Sequence, residues 1–177
     1  AVADADAVLG LLTDRIDAEF FDAAKRLKGY ANYAVGFDNI DVAEATRRRI
    51  PVSNTPDVLT NATAELAWTL LLAAARRVVE ADRVMRSGTW PGWGPLQFIG
   101  ADVTGKTLGI VGAGRIGAAM ARMSKGFAMR VLYTSRRAPN PALEAELGAR
   151  RVDMDELLAE SDFVSIHAPL NAESKHL

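Results

Sequence analysis

Gly112, Gly114 and Gly117 stand where a short apolar run, Thr107 to Val111, meets a helix-forming stretch. In a G-x-G-x-x-G turn of this kind the first glycine permits the bend. The second leaves no side chain between backbone and pyrophosphate, and the third lets the helix lie close against its strand. Arg115 and Ile116 fill the intervening positions and open that helix, whose first N–H groups and positive dipole end attract phosphates. The implied chemistry is dinucleotide binding. An NAD site then places a carboxylate at the end of the second strand, about twenty residues on, to bond the ribose hydroxyls. Here Thr134 and Ser135 hold that place, and Arg136 and Arg137 follow at once. A 2′-phosphate accepts a hydroxyl bond and a fork of guanidinium donors, so these residues predict NADP(H) in preference to NAD(H). Arginines that meet only solvent in a polar loop are the alternative. His167 and Pro169 follow a further strand at the carboxyl edge, where open α/β sheets bind ligands.

Other chemistries lack their residues. Two histidines, His167 and His176, and no cysteine give no basis for a metal site or a disulfide. A net charge of −1 offers no electrostatic footprint for nucleic acid. Leu66 to Ala75, the most apolar run, falls well short of the roughly 20 residues that cross a bilayer. We therefore expect no nucleic-acid or membrane partner and a cytoplasmic protein. Ala1 stands where an initiator Met would, and the opening acidic residues lead directly into a strand, so preceding sequence is expected.

The elements that would position these residues alternate. Ala7 to Leu12 reads as a strand buried on both faces. A helix capped by Thr13 follows, with Ile16, Phe20, Ala24 and Leu27 on one face. Strand Tyr30 to Val35, helix Val42 to Arg49 and strand Pro51 to Asn54 continue the alternation, which predicts right-handed βαβ crossovers in an α/β layer. A long helix capped by Asn61 runs to Arg86, where Ser87 and Gly88 stop it; its first half is apolar nearly all round, as a helix buried between domains or subunits would be. Residues 88–104 form a loop in which Trp90, Trp93 and Phe98 need a surface to dock on, and a partner subunit fits better than stacked bases. Strand Thr107 to Val111, a helix from Arg115 to about Gly126 and strand Arg130 to Thr134 come next. Helices near Ala142 to Leu147 and Met154 to Ala159 precede strand Phe163 to Ile166. Three strands of a doubly wound domain are then legible, and the glycine-bearing strand is expected to be left with an unpaired apolar edge.

The runs Asn32 to Asp41 (NYAVGFDNID), Asn54 to Arg76, Asp102 to Gly117 and Ser161 to Asn171 (SDFVSIHAPLN) resemble the D-2-hydroxyacid dehydrogenases. The likeness is strongest to the glyoxylate and hydroxypyruvate reductases, whose NADP-using members carry a similar Ser-Arg after the second strand. It implies a partial flavodoxin-like substrate domain over residues 1–57. A connecting helix and dimerisation arm over 58–100 would make the protein a homodimer, and the first half of a Rossmann doubly wound parallel-sheet domain would fill 101–177. It also implies that backbone N–H groups of Val35 and Gly36 hold the substrate carboxylate, that Leu59 and Thr63 lie toward the cofactor's nicotinamide and phosphates, and that His167 and Pro169 line its pocket. The substrate would be a small 2-keto or 2-hydroxy acid. The family's catalytic arginine, glutamate and histidine match nothing here, so no catalytic residue is nominated and all three are expected beyond Leu177. A nucleotide-binding, co-repressor-like module of the same fold is the alternative to an enzyme.

Overall fold

The computed structural model describes residues 2–136, 139–169, 171, 174 and 175. They fall into two compact units, Ala1–Leu59 with Pro169–Leu177, and Thr60–Ala168.

In the first unit, β1 (Ala7–Gly10), β2 (Gly29–Asn32) and β3 (Val52–Ser53) form a parallel sheet in that order, joined by α1 (Ala18–Ala23) and α2 (Val42–Arg47). Each crossover steps in the same direction, so right-handed connections put both helices on one face. The register aligns Val8, Tyr30 and Val52 on that face, where they pack with Phe21, Ala24 and Ala45. Among the described residues the opposite face is uncovered, and Leu9 is 74% exposed. The expectation of a first strand buried on both faces is therefore corrected: one direction of winding covers one side. The start of α1 also differs. Its cap is Asp17, whose Oδ1 accepts from the N–H groups of Glu19 and Phe20, and not Thr13. Ile16 stays outside the helix because its backbone bonds Asn39 and Asp41.

The second unit opens with α3 (Thr60–Ala75) and α4 (Val78–Ser87). Asn61 is not a cap, since α3 begins one residue earlier and Asn61 lies inside its first turn. The single helix expected to reach Arg86 is two helices, broken where Arg77 adopts a left-handed φ of 54°. The break has a tertiary cause. The returning chain donates the Ala101 N–H to the Ala75 carbonyl at 2.8 Å, and a Cβ on Gly100 would come within 2.1 Å of that same oxygen. Ala64, Trp68 and Ala75 are buried, and α3 lies along α5 (Arg115–Met123). Trp68 stacks on Phe127 with centroids 5.2 Å apart and donates its indole N–H to the Met120 carbonyl. Leu66 and Leu70 remain exposed. Among the described residues no helix is long and apolar enough to cross a membrane.

The sheet of this unit runs β6 (Arg150–Arg151), β5 (Arg130–Thr134), β4 (Thr107–Val111), β7 (Phe163–Ile166), all parallel. Helices α6 (Pro141–Leu147) and α7 (Met154–Glu160) link its later strands. The glycine-bearing strand β4 is not an edge: β5 and β7 flank it, which corrects the expectation of an unpaired margin. Strand β6 went unread because two arginines carry no apolar alternation. After β6 the chain reverses direction across the sheet to reach β7, which sends α7 to the other face. Leu108, Ile110, Val131 and Tyr133 pack toward α5 and α6, while Val111, Leu132 and Val152 meet Leu157 of α7. All five residues of β4 are buried.

Candidate functional site

Two of the three glycines of the turn answer a steric demand within the fold. Gly112 has φ +96°, and a Cβ there would lie 2.8–2.9 Å from the His167 carbonyl oxygen and the Ala168 nitrogen. It thus permits the bend and also lets the turn press against the chain leaving β7. A Cβ on Gly117 would come within 2.2 Å of the Gly112 carbonyl oxygen, so the third glycine brings helix α5 onto its strand. At Gly114 an added Cβ meets nothing within 4 Å. That open space adjoins the start of α5, where Gly114 is the N-cap residue and makes no side-chain cap. Arg115, Ile116 and Gly117 form the first turn of α5. An uncapped helix start, the open space beside it and the dipole are the features that suit a phosphate.

The strand ends around the glycine turn are tied together. The Gly112 N–H donates to the Thr134 carbonyl at 2.9 Å, and the His167 N–H to the Val111 carbonyl at 2.7 Å. The turn thus lies at the carboxyl edge of three parallel strands, and the winding reverses between β4 and β7, where open α/β sheets form their ligand crevice. Ser135 and Arg136 follow β5 at the same edge, with Arg136 exposed. Arg137 lies outside the described residues. His167 is half-buried, its Nε2 lies 2.9 Å from Ser165 Oγ, and burial holds the imidazole below its ordinary pKa. It is therefore neutral at physiological pH.

Thr63 is exposed in the first turn of α3, in the same unit. Leu59 and Pro169 belong to the first unit. So do Val35 and Gly36, where the structure shows what sequence reading missed. Asn32, 1% exposed at the end of β2, donates its side-chain N–H to the Gly36 carbonyl at 2.9 Å, and Asn54 donates to the Val35 carbonyl at 2.9 Å. Both carbonyls are thereby fixed, and among the described residues neither the Val35 nor the Gly36 N–H has a backbone partner. Two adjacent N–H groups without a backbone partner, beside carbonyls that are already engaged, are donors of the kind from which anion-binding concavities are built. A buried asparagine at a strand end, where an apolar residue would serve the core better, was the sequence signal. Among the described residues no group of three or more metal-ligating side chains gathers.

Residues 68–177 match the family described as D-isomer specific 2-hydroxyacid dehydrogenase, NAD binding domain. The chain is 58% identical to the glyoxylate reductase of Thermococcus onnurineus over 180 aligned residues, 99% of this chain and 54% of that protein. Among solved structures, the TT0316 protein of Thermus thermophilus superposes with a TM-score of 0.91 at 47% identity, over 98% of this chain and 54% of the other. D-lactate dehydrogenase of Aquifex aeolicus, solved with NAD and lactic acid, does so with a TM-score of 0.87 at 27% identity, over 97% and 50%. The chain spans about half the length of the curated relatives it matches.

Proposed function

This chain belongs to the D-isomer specific 2-hydroxyacid dehydrogenase family, and on that footing we propose that the protein reduces a small 2-keto acid of the glyoxylate or hydroxypyruvate type to its D-2-hydroxy acid, using NADP(H). The observation that carries the reading is the glycine turn at the β4–β7 reversal, with Ser135 and Arg136 in place of a carboxylate at the end of β5. The residues present fit a dinucleotide: a Cβ at Gly114 would meet nothing within 4 Å, so the backbone there is open to a pyrophosphate, and the first turn of α5 supplies N–H donors. Bound NADPH supplies the hydride that converts the keto carbon to an alcohol.

The chain's own residues bind and orient. Gly112, Gly114, Arg115, Ile116 and Gly117 hold the pyrophosphate; Ser135 and Arg136 hold the 2′-phosphate by hydroxyl and guanidinium. Arg137 has the same assignment from sequence. Leu59, Thr63, His167 and Pro169 line the remainder of the cofactor. Neutral His167 shapes this pocket and is not assigned the proton-donor role, since its Nε2 is engaged with Ser165. The Val35 and Gly36 N–H groups hold the substrate carboxylate, in a conformation fixed by Asn54 and Asn32. The exposed Trp90, Trp93, Leu96 and Ile99 between α4 and β4 form the surface of a homodimer.

The test uses full-length protein. NADPH should be consumed with glyoxylate or hydroxypyruvate, bind about tenfold more tightly than NADH, and lose that advantage in Arg136→Ala. Equal affinity for the two cofactors in the unaltered protein would overturn the NADP(H) reading. Failure of every small 2-keto acid to support turnover would overturn the activity.

A further inference from the structure

The two arginines of β6 are adjacent in sequence and opposite in circumstance. In the parallel register Leu132 faces Arg150 and Tyr133 faces Arg151, so alternation sends the two side chains to opposite faces of the sheet. Arg150 is consumed by carboxylates, bonding both Glu156 and Glu160. Arg151 reaches the carboxyl edge instead, where its Nη2 donates to the Ser135 carbonyl at 2.8 Å. Among the described residues it meets no carboxylate, and the rest of its guanidinium donors carry no bond. The residue whose carbonyl it grips is one of the two, Thr134 and Ser135, standing where an NAD site would place an acid.

We infer that Arg151 is a further specificity-determining residue, a cation delivered from the third strand of the sheet to the adenosine 2′-phosphate of NADP(H). This rests on the NADP(H) reading above. A guanidinium already anchored by one N–H loses little further freedom when the others take up a phosphate oxygen, and its planar fork suits that geometry. The anchor also fixes where the charge sits relative to Ser135. With Arg136 it brackets Ser135 by two cations, one from the loop and one from the neighbouring strand.

The experiment titrates full-length protein with NADPH and NADH, and with adenosine 2′,5′-bisphosphate against 5′-AMP, for the unaltered protein, Arg151→Gln and Arg151→Lys. Arg151→Gln keeps an N–H donor for the carbonyl and removes the charge. It should weaken NADPH and the bisphosphate about tenfold while leaving NADH and 5′-AMP within about twofold. Arg151→Lys keeps the charge, so it should retain most of the preference and serves if the glutamine variant fails to fold. Equal weakening of both cofactors would show that Arg151 only braces the loop and would overturn the inference. So would an unchanged NADPH-to-NADH ratio in a protein that prefers NADPH. A protein that never preferred NADPH would instead sink the earlier reading, a result visible before any variant is made.

Discussion

The two sheets of this chain start from the same unit, a strand, a right-handed crossover and a parallel neighbour, and end differently. In the first, β1, β2 and β3 are laid down in one direction; both helices share a face and Leu9 stays 74% exposed. In the second, the order β6-β5-β4-β7 reverses at β4, helices take both faces, and every residue of β4 is buried. The reversal does two things at once. It completes the core around the glycine strand and sets the glycine turn at the switch point where open α/β sheets form their ligand crevice. Site and core are therefore one topological event in the second unit. In the first, the proposed carboxylate-holding pair Val35–Gly36 depends on side-chain amides, not on winding.

The contrast can be attacked at several strengths. Leu132→Ala, at a residue with no exposure between β4 and β6, should cost about 4 kcal/mol in urea unfolding. Leu9→Ala on the bare face should stay within about 0.5 kcal/mol. Comparable losses would mean that the bare face is covered. Glycine substitutions come next. Gly117→Ala drives a Cβ to 2.2 Å from a backbone oxygen and should cost about 3 kcal/mol. Gly10→Ala meets the Tyr30 hydroxyl at 2.1 Å, the end of a side chain, and should cost about 1 kcal/mol, read by the same unfolding curves.

Gly114→Ala separates fold from function. Its Cβ enters open space, so stability should change by less than about 0.5 kcal/mol. Dinucleotide affinity, measured by titration, should nonetheless fall about tenfold as the methyl occupies the phosphate's place. Unchanged affinity would remove the pyrophosphate from this turn.

The smallest expected effect is on pH dependence. Burial lowers the His167 pKa, so below its ordinary value of 6.5 the unfolded chain takes up the proton more readily and the second unit loses stability as pH falls through that range. Glu44 in the first unit is held at about 2 by the hydrogen bonds of Arg47 and then Arg48. Its contribution is complete above its unfolded value of 4.5 and is lost only as pH drops from there toward 2. A stability profile at pH 5–7 that is flattened by His167→Gln and unmoved by Glu44→Gln would separate the two groups.

Much of the second unit was legible because its signals are local. Strands β4, β5 and β7 each centre on a short, mostly apolar stretch, and the glycines announce their turn. What escaped was set from a distance. Two arginines look like a charged loop, yet they pair with Leu132 and Tyr133 and so put β5 inside a four-stranded sheet. No glycine or proline marks the break at Arg77, which is imposed by Gly100 and Ala101 returning to the Ala75 carbonyl. Asn32 in a strand is a polar signal, but only the structure shows its amide on the Gly36 carbonyl. The exposure of Leu9 follows from strand order, which apolar character does not encode.

Trp68, stacked on Phe127 and bonded to Met120, gives the chain an optical consequence. All three tryptophans, Trp68, Trp90 and Trp93, lie in the second unit, so indole emission is blind to the first, where Tyr30 and Tyr33 are the aromatic phenols. Within that emission Trp68 is 6% exposed while Trp90 and Trp93 are 48% and 83% exposed. A dissolved quencher such as iodide should extinguish the red-shifted light of the latter pair first. The blue-shifted remainder then reports whether α3 still lies on α5.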